Sequence, residues 1–168
     1  AARRARQAVG VAYAALALAL LAGGAAGLPP APSVGARVPP ANAVTSIVNA
    51  TSSLGGVTIT IDQVAFDHRA GATWLHATLV NSTTDEIEWT VPPVVSTDGA
   101  SANGEYRRST QLPGDVDAGQ RVSGWLFVPL DPASVRPGGV LHVRFVDVAM
   151  AGYRTVGDVN VEVKVAAV

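Results

Sequence analysis

Three tryptophans are the first candidates for a functional surface, because aromatic residues make up only 5% of the 168 residues. Trp74, Trp89 and Trp125 each fall in a segment with the alternation of a strand. An indole ring offers a large apolar surface with one polar N–H, so it either packs in a core or anchors a partner. Together with Arg107, which lies in another predicted strand, they are the candidate binding residues.

Histidines suggest a second kind of site. His76 and His142 lie in separate predicted strands, while His68 lies in a turn. Two strand histidines that meet on one face beside a carboxylate can bind zinc or copper. Metal binding through His76 and His142 is therefore the alternative function, although no local ligand spacing supports it. No cofactor is predicted.

Acidic side chains give two weaker hypotheses. Asp115 and Asp117 could offer oxygens to calcium, but the full ligand run of a calcium loop is missing. Asp85 and Glu88 could form a pair of carboxylates that cleaves a glycosidic bond. Their sequence context instead indicates the solvated tip of a hairpin. The chain has no Gly-x-Ser-x-Gly elbow and no phosphate-binding glycine loop. The prediction is a protein without enzymatic activity.

Charge and cysteine content exclude several classes. The absence of cysteine excludes a disulfide scaffold and cysteine-ligated metal sites. The net charge is −1, and it becomes −4 without residues 1–28, which contain three arginines and no acidic residue. Such a chain lacks the positive surface that nucleic acids require, so no nucleic acid is expected as a partner.

Residues 1–28 have the pattern of an export signal. Arg3, Arg4 and Arg6 precede residues 8–28, which carry no charge and end in small residues. This pattern fits a cleaved signal peptide, and its length also allows an uncleaved signal-anchor helix. Both interpretations put the remainder outside the cytoplasm, either extracellular or anchored in the cell membrane by the uncleaved helix.

The rest of the chain reads as a linker followed by strands. Residues 29–56 contain five of the eleven prolines and predict a Pro/Ser/Gly-rich linker. From residue 57 the hydrophobic period is two, and turn signals recur. Residues 57–168 therefore predict an antiparallel β-sandwich of about seven to eight strands. The predicted strands are 57–62, 74–80, 87–91, 94–97, 105–110, 120–128, 140–148 and 158–165.

Several stretches resemble one known family. They are residues 79–83, the Asp98-Gly99 turn followed by Tyr106, and above all residues 118–129, with Gly119, Gly124 and Pro129. These stretches resemble the telokin-like, immunoglobulin-like extracellular domains of bacterial lipoproteins and membrane-anchored proteins. The resemblance implies an immunoglobulin-like sandwich outside the cytoplasm, and it implies no catalytic residues. The lipid-attachment cysteine of many relatives is missing.

The expected function is that of a non-enzymatic, exported module of the cell envelope. It would interact with an envelope protein or ligand through a sheet face or loops. The sequence does not identify that partner, the oligomeric state, or whether the N-terminal segment is cleaved.

Overall fold

A computed structural model describes residues 38–89, 91–109, 112, 114–152 and 154–166. The predicted N-terminal helix over residues 1–28 lies outside these residues. In the described part of the chain, no helix has both the length and the apolar character needed to cross a membrane.

All regular structure in the described residues is β-strand, apart from two single 3-10 turns at Tyr106–Arg108 and Pro132–Ser134. Every strand pairing is antiparallel. The strands are β1 Val44–Leu54, β2 Val57–Asp67, β3 Ala72–Asn81, β4 Ile87–Glu88, β5 Val94–Ser96, β6 Ser101–Asn103, β7 Asp115–Val116, β8 Arg121–Val128, β9 Val140–Met150 and β10 Arg154–Lys164.

The strands form two sheets that pack face to face in a sandwich-like arrangement. Sheet A has the order β1-β2-β3-β8. Sheet B has the order β6-β5-β9-β4-β7, and β10 pairs with the other side of β9. The predicted all-β, antiparallel class is therefore confirmed.

The core lies between the inner faces of the two sheets. Alternate residues of the long strands supply it, as the period of two requires. From sheet A it takes Val57, Ile59, Ile61, Leu75, Leu79 and Leu126, and from sheet B it takes Leu141, Val143, Phe145, Val161 and Val163. Burial of these side chains is the main stabilising contribution to the fold.

The predicted linker over residues 29–56 is wrong in its second half, because Val44–Leu54 forms β1 and pairs with β2. The alternation is interrupted where Asn49 adopts a left-handed φ of 57° and the register shifts between Ile47 and Ala50. A bulge of this kind hides the period of two from the sequence. The sandwich therefore begins by Val44 and not at Val57.

The strand predicted over residues 105–110 is also wrong. Tyr106–Arg108 forms a 3-10 turn. The segment still runs beside β8, since Glu105 N–H donates to Phe127 O at 2.8 Å and Phe127 N–H donates to Ser109 Oγ at 3.0 Å. These bonds satisfy the backbone C=O and N–H of Phe127 at the edge of sheet A, where unpaired backbone groups would favour pairing with another chain.

Asn81 ties together the loops at one end of the sandwich. Its side chain is completely buried, and its amide donates to the carbonyl oxygens of Asp85, Val116 and Asp117 at 2.8–3.1 Å. Its Oδ1 accepts from the N–H and the hydroxyl of Thr83. The loop after β3 is thereby fixed to β7.

The opposite end holds a small apolar cavity. Val44, at the start of β1, and Val165, just after β10, both line this cavity of about 230 Å³. Phe66 and Pro132 contribute to the same lining. The first and last described strands therefore meet at this end.

Candidate functional site

The outer face of sheet A forms a regular grid of side chains. Cross-strand register places four residues, one from each strand, in each of four rows. The rows are Thr45-Ala65-Trp74-Phe127, Ile47-Gln63-His76-Trp125, Thr51-Thr60-Thr78-Ser123 and Ser53-Thr58-Val80-Arg121. We call this surface the A face.

Aromatic residues occupy one corner of the A face. Trp74 and Phe127 meet edge to face with ring centroids 4.9 Å apart, a favourable geometry for two aromatic rings. The Arg108 guanidinium lies over the Phe127 ring at 3.4 Å from its centroid, a cation–π contact. Trp125 packs against this small second core and remains half-buried.

A carboxylate and an imidazole adjoin the aromatic corner. The register shift between Ile61 and Gln63 makes Asp62 an extra residue on β2. Asp62 Oδ1 lies 2.7 Å from His76 Nδ1, within hydrogen-bond distance. The His76 ring in turn meets Trp125 nearly edge to face, with centroids 5.1 Å apart. The Asp62 contact thus orients the imidazole beside the half-buried indole.

The third row of the A face consists entirely of hydroxyl side chains. Thr51 and Thr60 hydroxyls are hydrogen-bonded at 3.0 Å, and Ser53 and Thr58 in the next row are bonded at 2.8 Å. Thr78 is buried at the centre of the hydroxyl row. Each hydroxyl both donates and accepts, so the row has capacity for a polar ligand.

The outer face of sheet B has a different character. His142 and Arg144 project from β9, and Glu162 and Lys164 project from β10. His142 lies 3.8 Å from Glu162, and Arg144 lies 3.7 Å from Asp158. Exposed pairs of this kind contribute little to stability and are typical of a solvated surface. The two faces therefore differ sharply in charge.

The structure brings together only part of the predicted binding set. Trp74 and Trp125 share the A face, but Trp89 is 3% exposed and packs against Phe145 in the main core, with centroids 5.8 Å apart. Arg107 is exposed, and its neighbour Arg108 makes the aromatic contact instead. Trp89 is thus a core residue.

The predicted metal pair does not converge. His76 lies on the A face and His142 on the outer face of sheet B, with the core between them. Across the described residues, no three histidine, aspartate or glutamate side chains gather as metal ligands would.

The other acidic candidates lie near the loop end that Asn81 fixes. Glu88 of β4 pairs across the ladder with Asp115 of β7, and both are exposed. Asp117 is exposed and Asp85 is half-buried. Directly opposed like charges favour a solvated surface over a packed site.

Tyr106 has the one clearly perturbed titration among the described groups. Its partial burial raises its pKa from 10.0 to about 12, because the phenolate loses solvation. The neighbouring Trp89 indole opposes this shift weakly, although its N–H does not reach hydrogen-bond geometry. The phenol instead donates to Val91 O at 3.3 Å. Tyr106 is therefore neutral at physiological pH.

A polar cavity of about 240 Å³ lies away from the A face. Thr97, Asp98, Ser134 and Arg136 are among the residues that line it. The Thr97 hydroxyl already donates to Ser134 O and accepts from the N–H groups of its own turn. Its polar groups thus serve mainly to hold the loop.

Comparison with known proteins gives little beyond the architecture. No protein-family model matches the chain, and no curated protein matches it. Similar solved structures include the crystal structure of a functionally unknown protein from Listeria monocytogenes EGD-e. That similarity has a TM-score of 0.49 at 12% identity and covers 76% of this chain and 88% of the other.

Asp62, Phe127, Arg108 and the hydroxyl row were not among the residues that the sequence pattern predicted for a site. One signal was present, since Thr58 and Thr60 alternate with buried Val57 and Ile59 and so face outward. The Arg108 contact had no such signal, because it depends on the path of a loop.

Proposed function

We propose that this chain is a non-enzymatic module of the cell envelope that binds a protein or ligand through its A face. The observation that carries the proposal is the contrast between the two outer faces. Sheet B presents charged or titratable side chains along its two longest strands, whereas the A face presents hydroxyls and the half-buried ring of Trp125. We infer from this contrast that the A face, and not the charged face of sheet B, is the binding surface.

Local geometry supports the same region. Trp125 is half-buried, and the side chains of His76 and Asp62 beside it are 23% and 31% exposed. A partner at this corner could therefore contact an indole, an imidazole and a carboxylate together.

Export and the immunoglobulin-like subtype belong to the same proposal. The basic and apolar pattern of residues 1–28 supports export. The resemblance of residues 118–129 supports the telokin-like subtype, with Gly119 at a φ of 71° just before β8. Cell fractionation with N-terminal sequencing tests export, and recovery of the protein in the cytoplasm with an intact N-terminus would refute it.

Cosedimentation of the purified full chain with isolated cell envelopes tests the binding face. We expect Trp125→Ala to weaken binding about tenfold, which is typical of an interface anchor. His142→Ala, on the opposite face, is the matched control and should bind within about twofold of wild type. Equal binding by wild type and Trp125→Ala would contradict the proposal.

A further inference from the structure

We infer that the ligand of the A face is a neutral saccharide chain. This inference rests on the proposed function and specifies the chemistry of the same surface. Two features carry it: a half-buried indole beside polar side chains, and a row of hydroxyls that crosses the four strands of the sheet.

The indole and its neighbours suit one sugar ring. Trp125 is half-buried, so part of its ring is available for contact with the apolar C–H surface of a pyranose. His76 and Asp62 lie beside it, with side-chain exposures of 23% and 31%. A few polar groups around an apolar contact are the usual means of orienting a small ligand. Here an imidazole and a carboxylate would bond the hydroxyls of that ring.

The hydroxyl row extends the site across the sheet. Thr51, Thr60, Thr78 and Ser123 occupy four adjacent strands. Strands in a sheet lie about 4.8 Å apart, so the row is roughly 14 Å long. Sugar hydroxyls and protein hydroxyls can each donate and accept, which allows mutual bonding along an extended chain. The site therefore favours several linked sugars over a single one.

Charge argues for a neutral ligand. In the four rows of the A face only Arg121 carries a permanent charge, and it stands at the end of the last row. Arg108 is engaged with Phe127, and Asp62 with His76. Polyanions need several free cations, which the described part of this face lacks. A large protein partner would need exposed apolar anchors, and Ile47 at the margin is the one large aliphatic side chain exposed there.

Affinity gel electrophoresis of the full chain tests the inference. The probes are a neutral β-1,4-linked glucan, a soluble polymer of N-acetylated amino sugars, and a polyuronate as the anionic arm. We expect a neutral polymer to retard the wild type. Trp125→Ala should weaken this about tenfold, and Thr60→Val, which removes one hydroxyl of the row at nearly constant shape, about threefold to tenfold. His142→Ala should behave as wild type.

Unfolding curves of each variant show that weaker binding does not reflect loss of the fold. Failure of both neutral polymers to retard the wild type, or retardation only by the polyuronate, would overturn the saccharide inference. The envelope cosedimentation assay separates the two proposals. If envelope binding depends on Trp125 but neither neutral polymer competes with it, the binding face is supported and the saccharide inference is refuted. If envelope binding does not depend on Trp125, both proposals are refuted.

Discussion

Replacing Asn81 by alanine should destabilise the domain more than any single change on its surface. Asn81 is 0% exposed; the two N–H groups of its side chain are shared among three carbonyl oxygens, and its Oδ1 accepts two hydrogen bonds. Its removal leaves the Val116 carbonyl, whose bond to Asn81 is buried, without this partner. An unsatisfied buried group costs about 1–3 kcal/mol, and each lost bond about 1 kcal/mol. Some groups regain water, so we expect a loss of about 3 kcal/mol.

For a domain slightly above one hundred residues, 1 kcal/mol corresponds to roughly 4 °C in Tm, so the expected decrease is roughly 12 °C. Urea unfolding followed by near-ultraviolet circular dichroism measures the free energy, and calorimetry measures Tm. Ser82→Ala is the matched control, because Ser82 is the exposed neighbour and should change stability by less than about 0.5 kcal/mol. If Asn81→Ala lowers the free energy of unfolding by less than about 1 kcal/mol while the m-value in urea is unchanged, the reasoning is refuted.

Three further changes have definite expected outcomes. Gly104→Ala would put a Cβ 2.6 Å from Leu126 Cδ1 in a buried position, so we expect about 1–3 kcal/mol of destabilisation in urea, whereas Gly99→Ala meets no atom within 4 Å and should be nearly neutral. The raised pKa of Tyr106 means that stability is fully present below pH 10 and decreases as pH rises towards 12; Tyr106→Phe should remove that decrease, and ultraviolet titration should lose its last phenolate step. Ile47→Lys should leave stability within about 0.5 kcal/mol, because Ile47 is 76% exposed, but should slow aggregation on heating as measured by light scattering, since a charge on an edge strand opposes pairing. An unchanged aggregation rate would contradict the role of β1 as an aggregation-prone edge strand.

The long strands could be predicted because their packing follows a period of two. Val57, Ile59 and Ile61 alternate without interruption, and the clean alternation before Val165 belongs to β10. β1 could not be predicted in the same way. Its bulge at Asn49 displaces the pattern, and as an edge strand it buries only part of one face.

The candidate site was predictable only in part, because it depends on register between strands distant in sequence. Alternation within β3 puts Trp74 and His76 on the face opposite Leu75. Nothing local shows that Trp125 will pair with His76. For Trp89 a signal was present, because alternation about the exposed Glu88 puts it on the buried side with Ile87.

The meeting of β1 and β10 at one end has a mechanical consequence. Val44 and Val165 line the same cavity, so a pulling force applied through the two ends of the described domain acts at one place. Each terminal strand would then be peeled from its neighbour one hydrogen bond at a time, β1 from β2 and β10 from β9. Strands loaded in this way separate in sequence and do not resist together. A load borne between the A face and one end alone would act on the ladder of that terminal strand and spare the other.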